Sequence, residues 1–344
     1  MNRLILIYNW KTKENESFPR YLDQMGVSYK ILDNADEGER RLSKWYKIIN
    51  TIECIGLSIK AVMTAKNDDI IVSMCATPGI FAALFNPKKK KILVLNLLCH
   101  SSGNPGFLER MRNNLYSFAL NKENVWATCN ANEDVVNYEK MFLIQQKDHI
   151  IHFPDGIEMD NKLFKSFSSD QQTIDVFSCG ASARDWRTFV EVADYLKKLH
   201  FHVIARECDW EESYNRPNII VEFNLPYDKY VERLNSSKLV LLPLKSQMTA
   251  GLLVMFDAVK YGKKVIITRT RSTEQFVPDE LKQIILAEMG NAPDIVKKID
   301  VLLNMSEETS LAVINREKEF LYDNYSVDKY NLKLLKIVEN IQRN

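Results

Sequence analysis

Short apolar runs broken by turn residues recur along the whole chain. Leu4-Ile5-Leu6-Ile7-Tyr8, Asp69-Ile70-Ile71-Val72-Ser73, Ile92 to Leu98 and Val125-Trp126-Ala127-Thr128-Cys129 are continuous rather than alternating. Strands covered by helices on both faces read this way, and such cover is the mark of a parallel sheet. Between them lie stretches with apolar residues at helical spacing. Pro19 to Met25 closes at Gly26, Glu37 to Lys66 is long and interrupted near Gly56, and Phe107 to Leu120 and Asn132 to Phe142 follow later. Val27 to Leu32 supplies a second strand. Cys75-Ala76-Thr77-Pro78-Gly79 reads as a turn before a short helix, Ile80 to Phe85. A strand-helix-strand opening of this kind predicts a doubly wound α/β sheet.

The same pattern starts again further on. His152-Phe153-Pro154-Asp155-Gly156-Ile157-Glu158 carries the Pro and Gly of a turn, and Met159 to Gln172 is polar and serine-rich, as a linker would be. Strands are then expected at Ile174 to Ser178, Phe201 to Ala205, Ile219 to Glu222, Leu239 to Leu242 and Val265 to Ile267. Helices are expected at Arg187 to Leu199, Pro226 to Leu234, Gly251 to Tyr261, Ala292 to Leu303, Glu307 to Tyr322 and Val327 to Ile341. The chain therefore divides into an α/β domain over residues 1–158 and another over 173–326. A length of 344 residues, beyond the usual single core, agrees with that division.

Composition mainly excludes. A formal net charge of +1 gives no global field to draw nucleic acid. The dense basic run is Lys88 to Lys91; it reads either as a solvated turn or as a contact with anionic lipid head groups. The 6 cysteines are scattered without CxxC spacing, as buried thiols in a reducing compartment would be. The first apolar run is too short for a signal peptide or a membrane span. A cytoplasmic location follows as the expectation, with peripheral contact on the inner face of a membrane if the lysines meet lipid. No glycine-rich phosphate fingerprint follows the first strand, which argues against an NAD or FAD enzyme. No Gly-x-Ser-x-Gly supports a hydrolase triad.

The most informative stretch is Val240 to Thr268. An apolar run stops at Pro243, a polar loop follows (Lys245 to Ala250), and Gly251 leads into a helix closed by Gly262 before the next strand. Its loop falls at the carboxyl edge of the sheet, where open α/β folds bind ligands. A second candidate lies upstream, where Cys179-Gly180-Ala181-Ser182-Ala183-Arg184-Asp185-Trp186 joins a strand to a helix. Small residues there expose backbone N–H groups at a helix start, a natural anion site, and Arg184 adds a planar cation suited to phosphate. The plainer reading is that Arg184 and Asp185 cap the helix and pair with each other.

These residues carry a resemblance. Asp257-Ala258-Val259-Lys260-Tyr261-Gly262-Lys263-Lys264-Val265-Ile266 resembles the donor-site helix of the GT4-like retaining glycosyltransferases (glycosyl transferases group 1), which reads roughly Glu-Ala-Met-Ala-x-Gly-x-Pro-Val-Ile. The family's two glutamates fall on Thr249 and Asp257, so the acidic pair is degenerate. The Arg-Asp-Trp turn resembles one that faces the donor diphosphate in that group, and His152 to Glu158 is similar to its hinge, Pro-Asn-Gly-Ile-Asp. The resemblance implies a GT-B fold: two facing Rossmann-like doubly wound domains, with an interdomain cleft and the terminal helix, 327–344, packing back on the first. It implies a transferase moving a sugar from a nucleoside-diphosphate sugar to a glycan or lipid-linked glycan, the donor in the second domain and the acceptor in the first.

Residue roles follow from that implication. Gly180 and Arg184 would hold the diphosphate, and Thr249, Ala250, Gly251 and Leu252 would bring N–H groups to phosphate or sugar. Lys245 would add a second cation, or else be a solvated loop lysine. Asp257 would take the ribose hydroxyls, or else be an ordinary helix acid. His100, at a strand end of the first domain, would contact the transferring sugar, or else be structural. Asp33-Asn34-Ala35-Asp36 and Asn67-Asp68-Asp69 read as turns or strand entries rather than an Asp-x-Asp metal motif, so no cofactor or metal is expected and cationic side chains and helix dipoles would carry the leaving-group charge. Two other readings fit the degenerate acidic pair and the fold: a non-catalytic partner or chaperone of an active transferase, and a nucleotide-sugar epimerase.

Overall fold

The computed structural model describes residues 2–13, 16–34, 46–99, 106–146, 148–165, 172–247 and 250–343. In chain order its elements are β1 (Leu4–Tyr8), α1 (Ser17–Gln24), β2 (Tyr29–Asp33), α2 (Tyr46–Thr64), β3 (Ile70–Ser73), α3 (Ala76–Leu84), β4 (Lys91–Val94), α4 (Phe107–Leu120), β5 (Val125–Cys129), α5 (Asn132–Met141) and β6 (Ile150–His152). There follow β7 (Ile174–Cys179), α6 (Trp186–Tyr195), β8 (Phe201–Ala205), β9 (Ile219–Phe223), α7 (Tyr227–Asn235), β10 (Ser237–Leu242), α8 (Leu252–Lys260), β11 (Lys264–Thr268), α9 (Lys282–Ile285), β12 (Leu286–Ala287), α10 (Ala292–Leu303), α11 (Glu307–Tyr325) and α12 (Val327–Arg343). Two compact units result: Met1–Gly156 with Val327–Asn344, and Ile157–Ser326.

The first unit is a six-stranded sheet in the order β2-β1-β3-β4-β5-β6, parallel throughout. Successive side chains leave a strand on opposite faces, so each apolar run feeds two cores. Ile5, Ile7, Ile92, Val94, Val125 and Ala127 pack with α2, α3, α4 and α5. Leu4, Leu6, Tyr8, Leu93 and Trp126 pack with Phe18 and Leu22 of α1 and with Leu334, Leu335, Val338 and Ile341 of α12. That two-sided demand is why the strands read as unbroken apolar runs.

The second unit repeats the plan in the order β12-β11-β10-β7-β8-β9, again parallel. Val176, Leu239, Leu241 and Ile266 face α6 and α10. Phe177, Val240, Leu242 and Ile267 face α8 and α11. The helices after β7 and β10 therefore cover opposite faces of the sheet. Between those neighbouring strands the order reverses, which defines a switch point. At the far edge, Glu222 of β9 accepts from Arg233 of α7 (2.8 and 3.1 Å) and lies 2.5 Å from His202 Nε2. Arg233 first, and then His202, hold that carboxyl down at about 2 against the opposing effect of partial burial.

Several expectations need correction. Helix α2 runs unbroken through Gly56, whose position is exposed with open space where a Cβ would stand. The stretch Cys75 to Gly79 is no separate turn: Cys75 precedes α3, which begins at Ala76. Pro78 is tolerated in the first helical turn, and a Cβ at Gly79 would lie 2.9 Å from both Ser73 and Val94, so the helix presses on the sheet there. The polar segment after Met159 is pinned rather than loose as far as it is described. Lys318 Nζ donates to Asp160 (2.9 Å) and to the Lys162 carbonyl (2.6 Å), and Phe164 exchanges two backbone bonds with the Asn315 side chain. The α9–β12 pair, which supplies the sheet's sixth strand from the short apolar run Ile284 to Ala287, had no expectation attached to it.

One buried group gives the second unit a pH dependence. Glu317 of α11 is 1% exposed, and neither carboxyl oxygen has a hydrogen-bond partner. Burial alone pushes its carboxyl up to about 8. The folded state thus holds a proton that the unfolded chain releases near 4.5. Stability falls as pH rises through that window, by up to about 1.4 kcal/mol per pH unit, and is flat above it. Glu317→Gln, neutral at every pH, is expected to match the parent at pH 4 and exceed it at pH 9 in urea unfolding. Parallel pH profiles for parent and variant would contradict the assignment.

Candidate functional site

The loops that leave β7 and β10 meet at the switch point of the second sheet. After Cys179, Gly180 adopts φ +118° and Ala183 φ +54°, both left-handed. This folds Arg184 back against its own strand: Nε donates to the Cys179 carbonyl (2.7 Å) and Nη1 to the Ser182 carbonyl (3.2 Å). The β10 loop runs alongside. Asp185 N donates to the Pro243 carbonyl and Lys245 N to the Ala183 carbonyl, each at 2.9 Å. Arg184 and Leu244 form an antiparallel bridge, and Leu244 N donates to Thr268 Oγ1 (2.8 Å).

Two glycines flank the guanidinium. A Cβ at Gly180 would lie 2.3 Å from Arg184 Nη2. Gly251, at φ +79° on the N-cap of α8, would place a Cβ 3.5 Å from Nη1 and 3.2 Å from Ile267 Cδ1. Arg184 is 5% exposed. Burial presses its guanidinium below its usual range, and no carboxylate of the described residues pairs with it. Asp185 is not that partner. Its two oxygens accept from Thr188 N (3.0 Å) and Thr188 Oγ1 (2.6 Å), so it caps α6. A buried cation held by two carbonyls, with donors left over, is costly by itself, and its chemistry suits an anion.

The other expected residues are distributed as follows. Ala250 is buried and Leu252 opens α8 beside Gly251. Lys245 is exposed and lines a cavity of about 320 Å³ with Arg184, Arg187 and Trp186, which Asp185, Asp209 and Glu211 also border. The buried Trp186 Nε1 has no hydrogen-bond partner. Asp257 sits further along α8, where Tyr230 of α7 donates to Oδ2 (3.1 Å). Burial raises its carboxyl, and the Tyr230 bond only partly opposes that. Thr249 and His100 lie outside the described residues.

Tyr230 was missed by sequence reasoning. It packs on Phe177 and, beside the buried Cys179 thiol, links Asp257 to the Arg184 turn. The available signal was the Tyr227–Tyr230 pair on one helical face after Pro226. Of the acidic clusters of the first unit, Asp33 accepts from Thr12 N and Oγ1, and Asp69 from Arg3 and Lys66 N, while Ala35 and Asp36 lie outside the described residues.

No protein-family model matches the chain. No curated protein matches it either. Solved structures do. A glycosyltransferase from Rickettsia africae superposes with a TM-score of 0.70 at 14% identity, covering 100% of this chain and 99% of that one. HepE from Anabaena, in complex with UDP-glucose, gives 0.63 at 11% identity, covering 98% and 99%. A UDP-forming α,α-trehalose-phosphate synthase from Burkholderia xenovorans gives 0.65 at 11% identity, covering 100% and 99%. With two six-stranded parallel sheets, each wrapped by helices, the chain has the GT-B fold.

The fit between Gly180 and the guanidinium can be measured. Gly180→Ala is expected to destabilise the protein by about 1–3 kcal/mol, through left-handed strain and the clash with Arg184. In an Arg184→Ala background the same change should cost clearly less in urea unfolding. Equal costs in both backgrounds would mean that the two groups do not touch.

Proposed function

We propose that the chain is a glycosyltransferase using a nucleoside-diphosphate sugar, a UDP-sugar first among them, and that the second unit binds the donor. The observation that carries this reading is the Arg184 guanidinium, buried between two glycine turns at the sheet's switch point without a carboxylate to neutralise it among the described residues. A diphosphate supplies the missing charge. Neighbours of the same fold include proteins solved with UDP and UDP-glucose, which favours this donor class.

In the proposed reaction the bond from the sugar's anomeric carbon to the diphosphate oxygen breaks, and the electron pair stays on the phosphate. Arg184 and the N-terminus of α8 stabilise that charge, with Lys245 at the rim. Thr249, Ala250, Gly251 and Leu252 offer N–H groups to phosphate or sugar. The acceptor hydroxyl attacks the anomeric carbon on the face the diphosphate leaves, and its proton passes to the departing phosphate oxygen. Configuration is retained and no metal enters the proposal. Asp257, oriented by Tyr230, receives the ribose hydroxyls; His100 meets the transferring sugar, and a glycan or lipid-linked glycan binds the first unit as acceptor.

Thermal unfolding with millimolar UDP-glucose, other UDP-sugars and GDP-sugars tests the donor. One of them should raise Tm by a few degrees, since saturation at a hundredfold the Kd stabilises by about 2.7 kcal/mol. Arg184→Ala should abolish the shift while the unliganded protein stays folded. If no nucleoside-diphosphate sugar shifts the parent protein, the reading fails.

A further inference from the structure

A larger cavity, about 790 Å³, lies in the first unit where β4, β5 and β6 begin. Open parallel sheets bind ligands at the carboxyl ends of their strands, so a cavity at the amino ends is separate from any site described above. Lys89 in the turn before β4, Lys91 at the start of β4 and Lys122 in the turn before β5 line it. Glu123 borders the space too, but no carboxylate of the described residues lies within ion-pair distance of the three lysines. Lys91 Nζ gives one bond to the Gln342 carbonyl of α12 (3.0 Å), and Lys122 Nζ one to the Ala83 carbonyl of α3 (2.6 Å). An ammonium has three donors, so each keeps two. Lys122 is half-buried, and burial lowers its ammonium below the usual range; an arriving anion would offset that cost.

The walls are braced from behind. Lys90 turns inward, and its Nζ donates to the Val62 and Ala65 carbonyls at the end of α2. Asn86 bonds both the N–H (3.1 Å) and the carbonyl (2.7 Å) of Lys90, and Asn124 Nδ2 donates to the same carbonyl (2.6 Å). Asn121 donates to the Phe142 carbonyl and accepts from Gln145 N, each at 3.0 Å. The amides around the cavity are thus committed to backbone, and the lysines remain as its chemistry. On the side of α12, Trp126 stacks on His149, with ring centroids 4.7 Å apart and planes 28° from parallel. His149 Nδ1 lies 2.8 Å from the Val125 carbonyl. A carbonyl only accepts, so Nδ1 carries the proton, and Nε2 has no partner among the described residues. Trp126 is the one large apolar side chain lining the cavity and is buried, so nothing there would take an acyl chain.

We propose that this cavity binds a soluble nucleotide, with its phosphate on Lys89, Lys91 and Lys122 and its base against the His149 ring. Ammonium groups with donors to spare recognise phosphate, and a flat ring backed by tryptophan offers a base a stacking surface. The volume suits a ligand of that size. The site is built wholly from the first unit and does not rest on the donor reading at Arg184.

The full chain should be titrated with AMP while the His149 ring-proton signal is followed by NMR, the signal being assigned with a His149→Gln protein. A saturable shift with Kd below about 1 mM is expected. Adenosine, which lacks the phosphate, should bind at least tenfold more weakly, and salt should weaken AMP. Lys89→Gln should raise the Kd about threefold, and Lys89→Gln with Lys91→Gln about tenfold. Lys88→Gln, outside the cavity, should leave it within twofold. Thermal melts confirm that each variant is folded; if the double variant is not, Lys89→Gln alone carries the test. Arg184→Ala should leave the His149 shift intact, whatever it does to nucleotide-sugar binding. No shift at several millimolar AMP, equal affinity for adenosine, or lysine variants that bind like the parent would overturn the proposal. So would loss of the shift in Arg184→Ala, since the nucleotide would then be acting from the second unit.

Discussion

The pairing of β7 with β10 is the constraint on which the second unit's chemistry rests. Both strands are buried on both faces, and their following helices must go to opposite sides of the sheet to cover it. The two connecting loops therefore leave neighbouring strand ends at one edge and run side by side before their helices diverge. Arg184 is buried there with a charge that no carboxylate of the described residues neutralises. A hydrophobic side chain would have been cheaper to bury there; a guanidinium in that position makes sense when something negative arrives. The glycines on either side permit the backbone to come within touching distance of the cation, which a side chain at either place would obstruct.

Much of the architecture was legible because parallel sheets write themselves plainly. Leu4–Tyr8 or Leu239–Leu242 must satisfy two cores at once, so no polar residue interrupts them, and the run survives as a signal. What escaped was set by tertiary packing. The start of α3 looked like a turn because Pro78 and Gly79 are turn residues in isolation; only the pressure of the helix against Ser73 and Val94 explains a glycine there. Gly56 looked like a break, yet the flanking apolar spacing carries α2 through it. The residues after Met159 looked like a linker because their anchors, Asn315 and Lys318, come from a helix far along the chain.

The candidate site shows the same division. Gly180, Arg184 and Gly251 stood out because a small-residue turn, a cation and a helix start have local meaning. Tyr230 did not, since its partner Asp257 belongs to another helix and only the fold brings them together. On the plainer reading Asp185 both caps α6 and pairs with Arg184; its geometry gives the cap and not the pair, and no carboxylate of the described residues compensates the arginine. Solved structures at 9–17% identity share this fold over most of the chain, so the layout of strands and crossovers persists where residue identity does not.

The outer margin of the second sheet has a consequence of its own. Strand β12 contributes just two residues, too few to template a neighbour. Strand β9 is longer, but it carries Glu222 clamped by Arg233 and His202. A foreign strand adding itself there would have to strip water from a carboxylate whose charge is held on by those neighbours. Such guarded margins keep parallel sheets from polymerising edge to edge, and here the safeguard is built from side chains distant from any catalytic duty.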